Sequence, residues 1–578
     1  MTQRVLLVAG AAIVAAALAV AVLAQDEKTS GDRGPLPTLD EMADSIGSEV
    51  MLPIQRGHVP GRSAEVFLVP KPHFYLAGDW DLTTLGTDDP WVSTAHPSPW
   101  RYVARVPLIF YGPGHIQSGK QIYDSVDLTD VAPTYAQMLN VDGLNAEGEV
   151  LRDVPVPGSR KRPRVILSVV IDGGGWNALQ RHPDSWPTIA RLGASGVSYL
   201  NATIGSAPSI TGSIHANIGT GVYPITHGIP GNQMRAPDGS NIDTWLEDAD
   251  GRYLRSPTVS ELWDEQNANK PIVGTISYEG WHLGMIGAGA GRVGGDKDVA
   301  ALWDVEIEDW WINEEYYEFP KAARTNDLDE LESYERRLDP RDGLKDGDWF
   351  DHTLEELQED KVRPGTPAFV RLTGDVVVET MREAAVGRDD LTDMFWVEMK
   401  MPDFAGHLWN VEFAEQADVL RETDNQINRF VAELDKLAGR GNYVVMISAD
   451  HGQQPLPDYL GGWRINTDEL QRDVQREFGD VVEKVTTTDI FFDMDAIENQ
   501  GIDLDDVARW LGTYTIGENI PAARPGSNRV PRARLEETIF AGAFSTDYLQ
   551  ALTEEKIDSF GESDYEEGSF TISRGAED

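Results

Sequence analysis

This sequence predicts an α/β protein built around a largely parallel sheet. Short strand-like apolar runs alternate with helix-length amphipathic segments through most of the chain, the pattern of strands joined by crossover helices. Three of those runs end in aspartate-bearing turns. Hydrophobic residues make up 41% of the 578, with 16 Trp among them, enough for a sizeable core in one elaborated domain.

The elements follow in order. Arg4 precedes the apolar run Val5–Ala24, which ends in small residues before Gln25. Residues 1–24 read as an export signal or an uncleaved membrane anchor, the run being just long enough to span a bilayer. Either way the body of the protein is expected outside the cytoplasm, as a periplasmic, extracellular or membrane-anchored protein. Residues 25–38 are polar and Gly/Pro-bearing and read as a linker, and 39–553 as a single domain. Strands are expected at Glu65–Val69, Val106–Tyr111, Val165–Ile171, Ile272–Ser277, Phe395–Met399 and Tyr443–Ser448. Helices are expected at Asp130–Leu139, Pro187–Gly193, Pro367–Ala385 and Ala414–Leu437, the third capped by Thr366 with Pro367 in its first turn. The acidic, aromatic stretch 297–364 reads as an insertion, either covering a site or forming a surface excursion. Residues 554–578 read as a poorly ordered acidic tail.

Charge and composition exclude several function classes. There are 96 acidic against 49 basic residues, a net charge of −47, which repels nucleic acid and anionic lipid at long range. No nucleic-acid-binding module is expected. Without cysteine, there are no disulfides or thiolates, so any metal must be held by oxygen and nitrogen.

Ligands of open α/β sheets gather beyond the carboxyl ends of the strands, where this sequence concentrates its polar residues. Val165–Ile171 ends in Asp172-Gly173-Gly174, Phe395–Met399 leads to Asp403 and His407, and Tyr443–Ser448 leads to Asp450-His451-Gly452. Three carboxylates and two imidazoles thus meet at one sheet edge. Mixed Asp/His sets are what Zn²⁺ or Mn²⁺ requires in the absence of thiols. Thr211, in Ser209-Ile210-Thr211-Gly212-Ser213 ahead of Gly219-Thr220-Gly221, is either a nucleophile at a helix N-terminus or the cap of that helix.

Together Ile171-Asp172-Gly173, Thr211–Gly221, Tyr223-Pro224-Ile225-Thr226-His227-Gly228, Asp403…His407 and Asp450-His451-Gly452 resemble the alkaline phosphatase superfamily, in particular its nucleotide pyrophosphatase/phosphodiesterase branch. The resemblance implies a three-layer α/β sandwich and an exported hydrolase of a small phosphate ester that uses two divalent metal ions, expected to be zinc. It implies Thr211 as a nucleophile passing through a phosphothreonine. It implies one metal held by Asp172, Asp450, His451 and the Thr211 oxygen, and a second held by Asp403 and His407. Asn232 matches the residue that, with the amide after the nucleophile, binds a nonbridging phosphoryl oxygen.

The family's third ligand to the second metal is a later histidine, yet His451 is the last of the 11 in this chain. His96 fills the gap. It lies shortly before Val106-Pro107-Leu108, in a stretch resembling the segment that usually closes these proteins. Residues 39–150 therefore correspond to that closing segment, and the chain reads as circularly permuted.

A sulfatase is disfavoured, because Ser206-Ala207-Pro208-Ser209 is followed by Ile210 where that motif needs Arg. Ser277–His282 offers neither the Lys nor the Arg with which related monoesterases bind the extra phosphate charge. The expectation is therefore a phosphodiesterase, with an alkaline phosphomonoesterase as the alternative and an inactive metal-binding surface protein as the third reading.

Overall fold

The computed structural model describes residues 34–78, 94–159, 161–245, 249, 251–287, 295–358, 362–520 and 530–559. The expected signal or anchor at 1–24, the linker up to residue 33 and the tail from 560 lie outside the described residues. Among the described residues no helix is long and apolar enough to cross a membrane.

In chain order the strands that matter for the site are β1 (Val66–Pro70), β2 (Leu108–Tyr111), β3 (Lys120–Ile122), β4 (Val165–Ile171), β5 (Val197–Tyr199), β6 (Val273–Ser277), β7 (Asp298–Asp304), β8 (Asp309–Trp311), β9 (Asp393–Met399), β10 (Tyr443–Ser448), β11 (Val482–Val485), β12 (Asp489–Phe492) and β13 (Phe540–Ser545). The main helices are α1 (Val131–Leu139), α2 (Pro187–Ser195), α3 (Thr211–Thr220), α4 (Pro367–Glu383), α5 (Met401–Trp409) and α6 (Ala414–Leu434).

Ten strands form the central sheet, in the order β8-β7-β6-β9-β4-β10-β2-β5-β3, with Tyr317–Glu318 beside β7. From β7 to β10 every pairing is parallel. β2 runs antiparallel to both its neighbours, β10 and β5. The sheet is mixed but mostly parallel and carries helices on both faces, so the architecture is the α/β sandwich that the sequence predicts.

Alternation within the strands explains the layers. Val165, Leu167, Val169 and Ile171 point into one core with Phe369 and Val376 of α4 and Phe430 of α6, whereas Ile166 and Val170 join Tyr135 of α1 and Ile214 of α3 in another. A strand buried on both faces has no polar side, hence its unbroken apolar run. α4 starts where expected: Thr366 Oγ1 accepts from the Phe369 N–H at its first turn.

A second, antiparallel sheet has the order β11-β12-β1-β13, pairing Val66 with both Ile490 and Ser545. The front of the chain is thus built into both sheets, through β1 in one and β2 and β3 in the other. Arg235 fastens this region with a two-pronged pair to Glu65, 2.9 Å on each arm, a geometry specific to guanidinium and carboxylate.

Residues 297–364, expected to form an insertion, contribute β7 and β8 to the central sheet. Trp310, Leu331, Trp349 and Leu357 from this stretch join the core shared with α4 and α6. The segment beginning at Glu554, expected to be an unordered tail, continues the helix Thr546–Ser559 for its first residues.

Candidate metal centre and active site

Three adjacent parallel strands end at one place. β4 delivers Asp172, β10 leads to Asp450 and His451, and β9 runs through Lys400 into α5, which carries Asp403 and His407 one turn apart. Gly173 takes a left-handed backbone (φ 68°), and a Cβ there would lie 2.9 Å from the Asp403 Cα. Only glycine lets the Asp172 turn close against α5 in this way. The Gly173 N–H donates to Asp450 Oδ1 at 3.2 Å, leaving Asp450 Oδ2 facing His451.

The imidazoles share one arrangement. His96 Nδ1–H donates to the Ser209 carbonyl (2.8 Å), His407 Nδ1–H to the Thr94 carbonyl (2.7 Å), and His451 Nδ1–H to the Gly452 carbonyl (3.0 Å). Each Nε2 lone pair is thereby turned inward, the tautomer a metal-binding histidine needs. His451 Nε2 lies 3.2 Å from both Asp172 Oδ1 and Asp450 Oδ2. His96 and His407 Nε2 lie 3.6 and 3.4 Å from Asp403 Oδ1. His96 also stacks on His451, with ring centroids 3.6 Å apart.

Lone pairs therefore face carboxylate oxygens, and the side chains of Asp172, Asp450 and His451 have no exposed surface at all. Asp172 Oδ1, Asp450 Oδ2 and His451 Nε2 are buried without a hydrogen-bond partner, which is costly unless a cation joins them. Among the described residues, ligand atoms of His96, Asp403 and His451, and those of Asp172, Asp450 and His451, fall within 4.8 Å of one another. Oxygen and nitrogen donors of this kind hold divalent cations, so the residues present fit metal binding.

Thr211 is the first residue of α3, with Ile210 at the N-cap position making no side-chain cap. Its hydroxyl points at Asp172 Oδ2 (3.4 Å) rather than at a helix amide, unlike a capping side chain. The next amide, Gly212 N–H, donates to Asn232 Oδ1 at 3.3 Å. A Cβ on Gly212 would come within 3.1 Å of that oxygen, so glycine permits the approach. α3 is buried along its whole length and stops at Gly221 in the left-handed conformation.

A cavity of about 700 Å³ opens over Thr211, Asn232, His96 and Asp403. Its wall combines apolar side chains, Ile54, Phe67, Leu76 and Phe404, with the polar stretch 484–489 that carries Lys484, Thr486 and Asp489. No described residue of 297–364 lines it.

Several polar residues here escaped the sequence reading. Gln453 donates to Asp403 Oδ1 at 2.5 Å and fixes that carboxylate. Lys400, 4% exposed, lies 2.8 Å from Asp172 and 2.7 Å from Asp403. Burial opposes its charge, but Asp172 and Asp403 outweigh that and hold it well above the usual lysine range. Glu398 is buried inside β9, and burial, then Asp172, push it well above the usual carboxylate range. The signal for these two was a Glu inside an apolar strand and a Lys directly after it.

His227, in the motif after α3, is structural. Its Nε2–H donates to Asn217 Oδ1 (2.9 Å) and its Nδ1 accepts from the Ile229 N–H (3.1 Å). Burial pushes it down to about 3, and likewise pushes His58 down to about 4. Below the ordinary value of 6.5 the unfolded chain takes up protons that the folded chain refuses. The contribution of these two imidazoles to stability therefore falls as pH drops from about 6.5 toward 4, against buried carboxylates such as Asp130 and Asp393, pushed up to about 6, whose contribution runs the other way. A His58→Gln variant whose thermal midpoint follows pH across that window just as wild type does would contradict this.

The type I phosphodiesterase/nucleotide pyrophosphatase family model matches residues 166–523, well over half the chain. The chain belongs to that family. It is 25% identical over 412 residues to alkaline phosphatase PafA of Elizabethkingia meningoseptica, covering 61% of this chain and 73% of that protein. With alkaline phosphatase PhoV of Synechococcus elongatus it shares 24% over 345 residues, 53% of this chain and 62% of the relative. The crystal structure of wild-type PafA superimposes with a TM-score of 0.53 at 19% identity, over 67% of this chain and 85% of that one, a likeness of fold. With its buried His/Asp clusters, this member of the alkaline phosphatase superfamily is a metal-dependent phosphoester hydrolase.

Proposed function

We propose that the protein is an exported, two-metal phosphodiesterase of nucleotide-pyrophosphatase type that works through a phosphothreonine at Thr211. The observation that carries this reading is the inward-facing set of Nε2 lone pairs and unpartnered carboxylate oxygens around the Thr211 hydroxyl. Asp172, Asp450, His451 and Thr211 would hold one cation, and Asp403, His407 and His96 the other, zinc suiting both donor sets. When bound, the pair would neutralise the carboxylates and polarise the phosphoryl oxygens and the nucleophile.

The chain's own groups do the rest. Thr211 Oγ1 attacks phosphorus in line with the leaving oxygen, its proton passing toward Asp172 Oδ2. The new O–P bond forms as the ester O–P bond breaks, and the alcohol leaves with the bonding pair and takes a proton from water. Gly212 N–H and Asn232 hold a nonbridging oxygen. Water then attacks the phosphothreonine, Thr211 regains its proton, and phosphate or a monoester is released.

His96 comes from a segment ahead of the matched span 166–523, which supports a permuted chain in which residues 39–150 supply the last ligand. Export rests on the apolar run Val5–Ala24.

The apolar part of the cavity wall, Ile54, Phe67, Leu76 and Phe404, favours a substrate with a second organic substituent, hence a diester. An alkaline phosphomonoesterase is the second reading, favoured by the buried cation Lys400 beside Thr211. Assaying bis-p-nitrophenyl phosphate against p-nitrophenyl phosphate tests both. A higher kcat/KM for the diester, abolished by a chelator and restored by zinc, is expected. Preference for the monoester would overturn the diesterase reading, and chelator-resistant activity would overturn the metal reading.

A further inference from the structure

We propose that Lys400 is a catalytic residue, a fixed cation that links Asp172 to Asp403 and stabilises negative charge on Thr211 Oγ1. The proposal rests on Thr211 being the nucleophile. An ammonium has three N–H donors, and here each has an oxygen. Nζ lies 2.8 Å from Asp172 Oδ2, 2.7 Å from Asp403 Oδ2 and 3.4 Å from Thr211 Oγ1.

The two carboxylates divide their oxygens between separate tasks. Asp172 Oδ1 faces His451 and Asp403 Oδ1 faces His96 and His407, while both Oδ2 atoms turn to Lys400. The ammonium therefore occupies the side of each carboxylate away from the histidines and leaves the Nε2-lined pockets clear. It is also confined, with the Trp281 and Phe404 ring centroids 6.0 and 5.7 Å from Nζ.

A donor held against the oxygen that attacks, and that later leaves when the phosphothreonine breaks down, serves both half-reactions. It needs no reorganisation, and in a buried site a fixed charge counts for far more than in water. No proton need be transferred: the N–H stays on nitrogen while the charge on Oγ1 grows and fades.

Lys400→Met and Lys400→Ala test this on the metal-loaded enzyme, alongside Thr211→Ala. The expected result for Lys400→Met is a kcat lower by roughly 10²–10³-fold, with KM little changed, two metals still bound per chain and cooperative thermal unfolding retained. Added ethylammonium should restore part of the rate of Lys400→Ala in a saturable way. A Lys400→Met enzyme as fast as wild type would overturn the proposal, showing the lysine to be a counter-ion only. So would a loss accompanied by missing metal and cured by excess zinc, which would mark a structural role. If Lys400→Met is fully active while Thr211→Ala is dead, the lysine proposal falls and the nucleophile stands. A fully active Thr211→Ala enzyme removes the basis of both.

Discussion

Replacing Thr211 by alanine lowers hydrolysis of phosphate esters by roughly 10⁶-fold, the scale of loss seen when a nucleophile is removed from a working constellation. The size follows from the site's geometry. Thr211 Oγ1 touches Asp172 and Lys400 and begins the helix whose next amide meets Asn232, so the proposed attacking atom, the ammonium and the proposed oxyanion donor converge there. The same substitution leaves the fold nearly untouched, because the hydroxyl caps nothing and besides it only one methyl is lost from a helix that packs through Ile214 and Ile218. Metal content falls little, since Asp172, Asp450 and His451 remain. A variant retaining more than a tenth of wild-type kcat would assign the nucleophile to water or to another residue.

On the proposed ligand set, replacing His96 by alanine is expected to take away one of two metals. His96 faces Asp403 Oδ1 alongside His407 and is 7% exposed, so its loss leaves a buried gap in that donor set. Bound metal should fall from two equivalents to about one, and kcat/KM by more than the ~10–100-fold typical of losing an outer-shell partner. Elemental analysis of the purified variant checks the first figure and steady-state kinetics the second. Two tightly held metals in His96→Ala would mean that the front segment is packing rather than ligand, and the permuted reading would lose its support.

Much of this was legible in the sequence because parallel strands buried on both faces write themselves as apolar runs, and their carboxyl ends write themselves as Asp172, Asp403 and Asp450. What pairs with what was not. β1 joins β13 across the whole length of the chain, and no local pattern encodes such a partner. Residues 297–364 read as an insertion because their acidic residues dominate, yet the short run within β7 (Asp298–Asp304) joins the parallel sheet beside β6. α3 has no polar face, being buried all round, so its helical period is invisible. Glu398 lies inside an apolar strand and Lys400 directly follows its last residue, and a polar group there announces its partners only when the Asp172 turn is folded against it. His96 was found by counting histidines against a resemblance, and the structure puts it against His451.

The central question is whether phosphorus passes through Thr211. Acid-quenching the metal-loaded enzyme during turnover of a phosphate ester, followed by peptide mass mapping, reads this directly. The prediction is one phosphoryl group on the peptide carrying Thr211, absent from Thr211→Ala. Product formation with no covalent phosphate on the chain, or with phosphate on another residue, would contradict it.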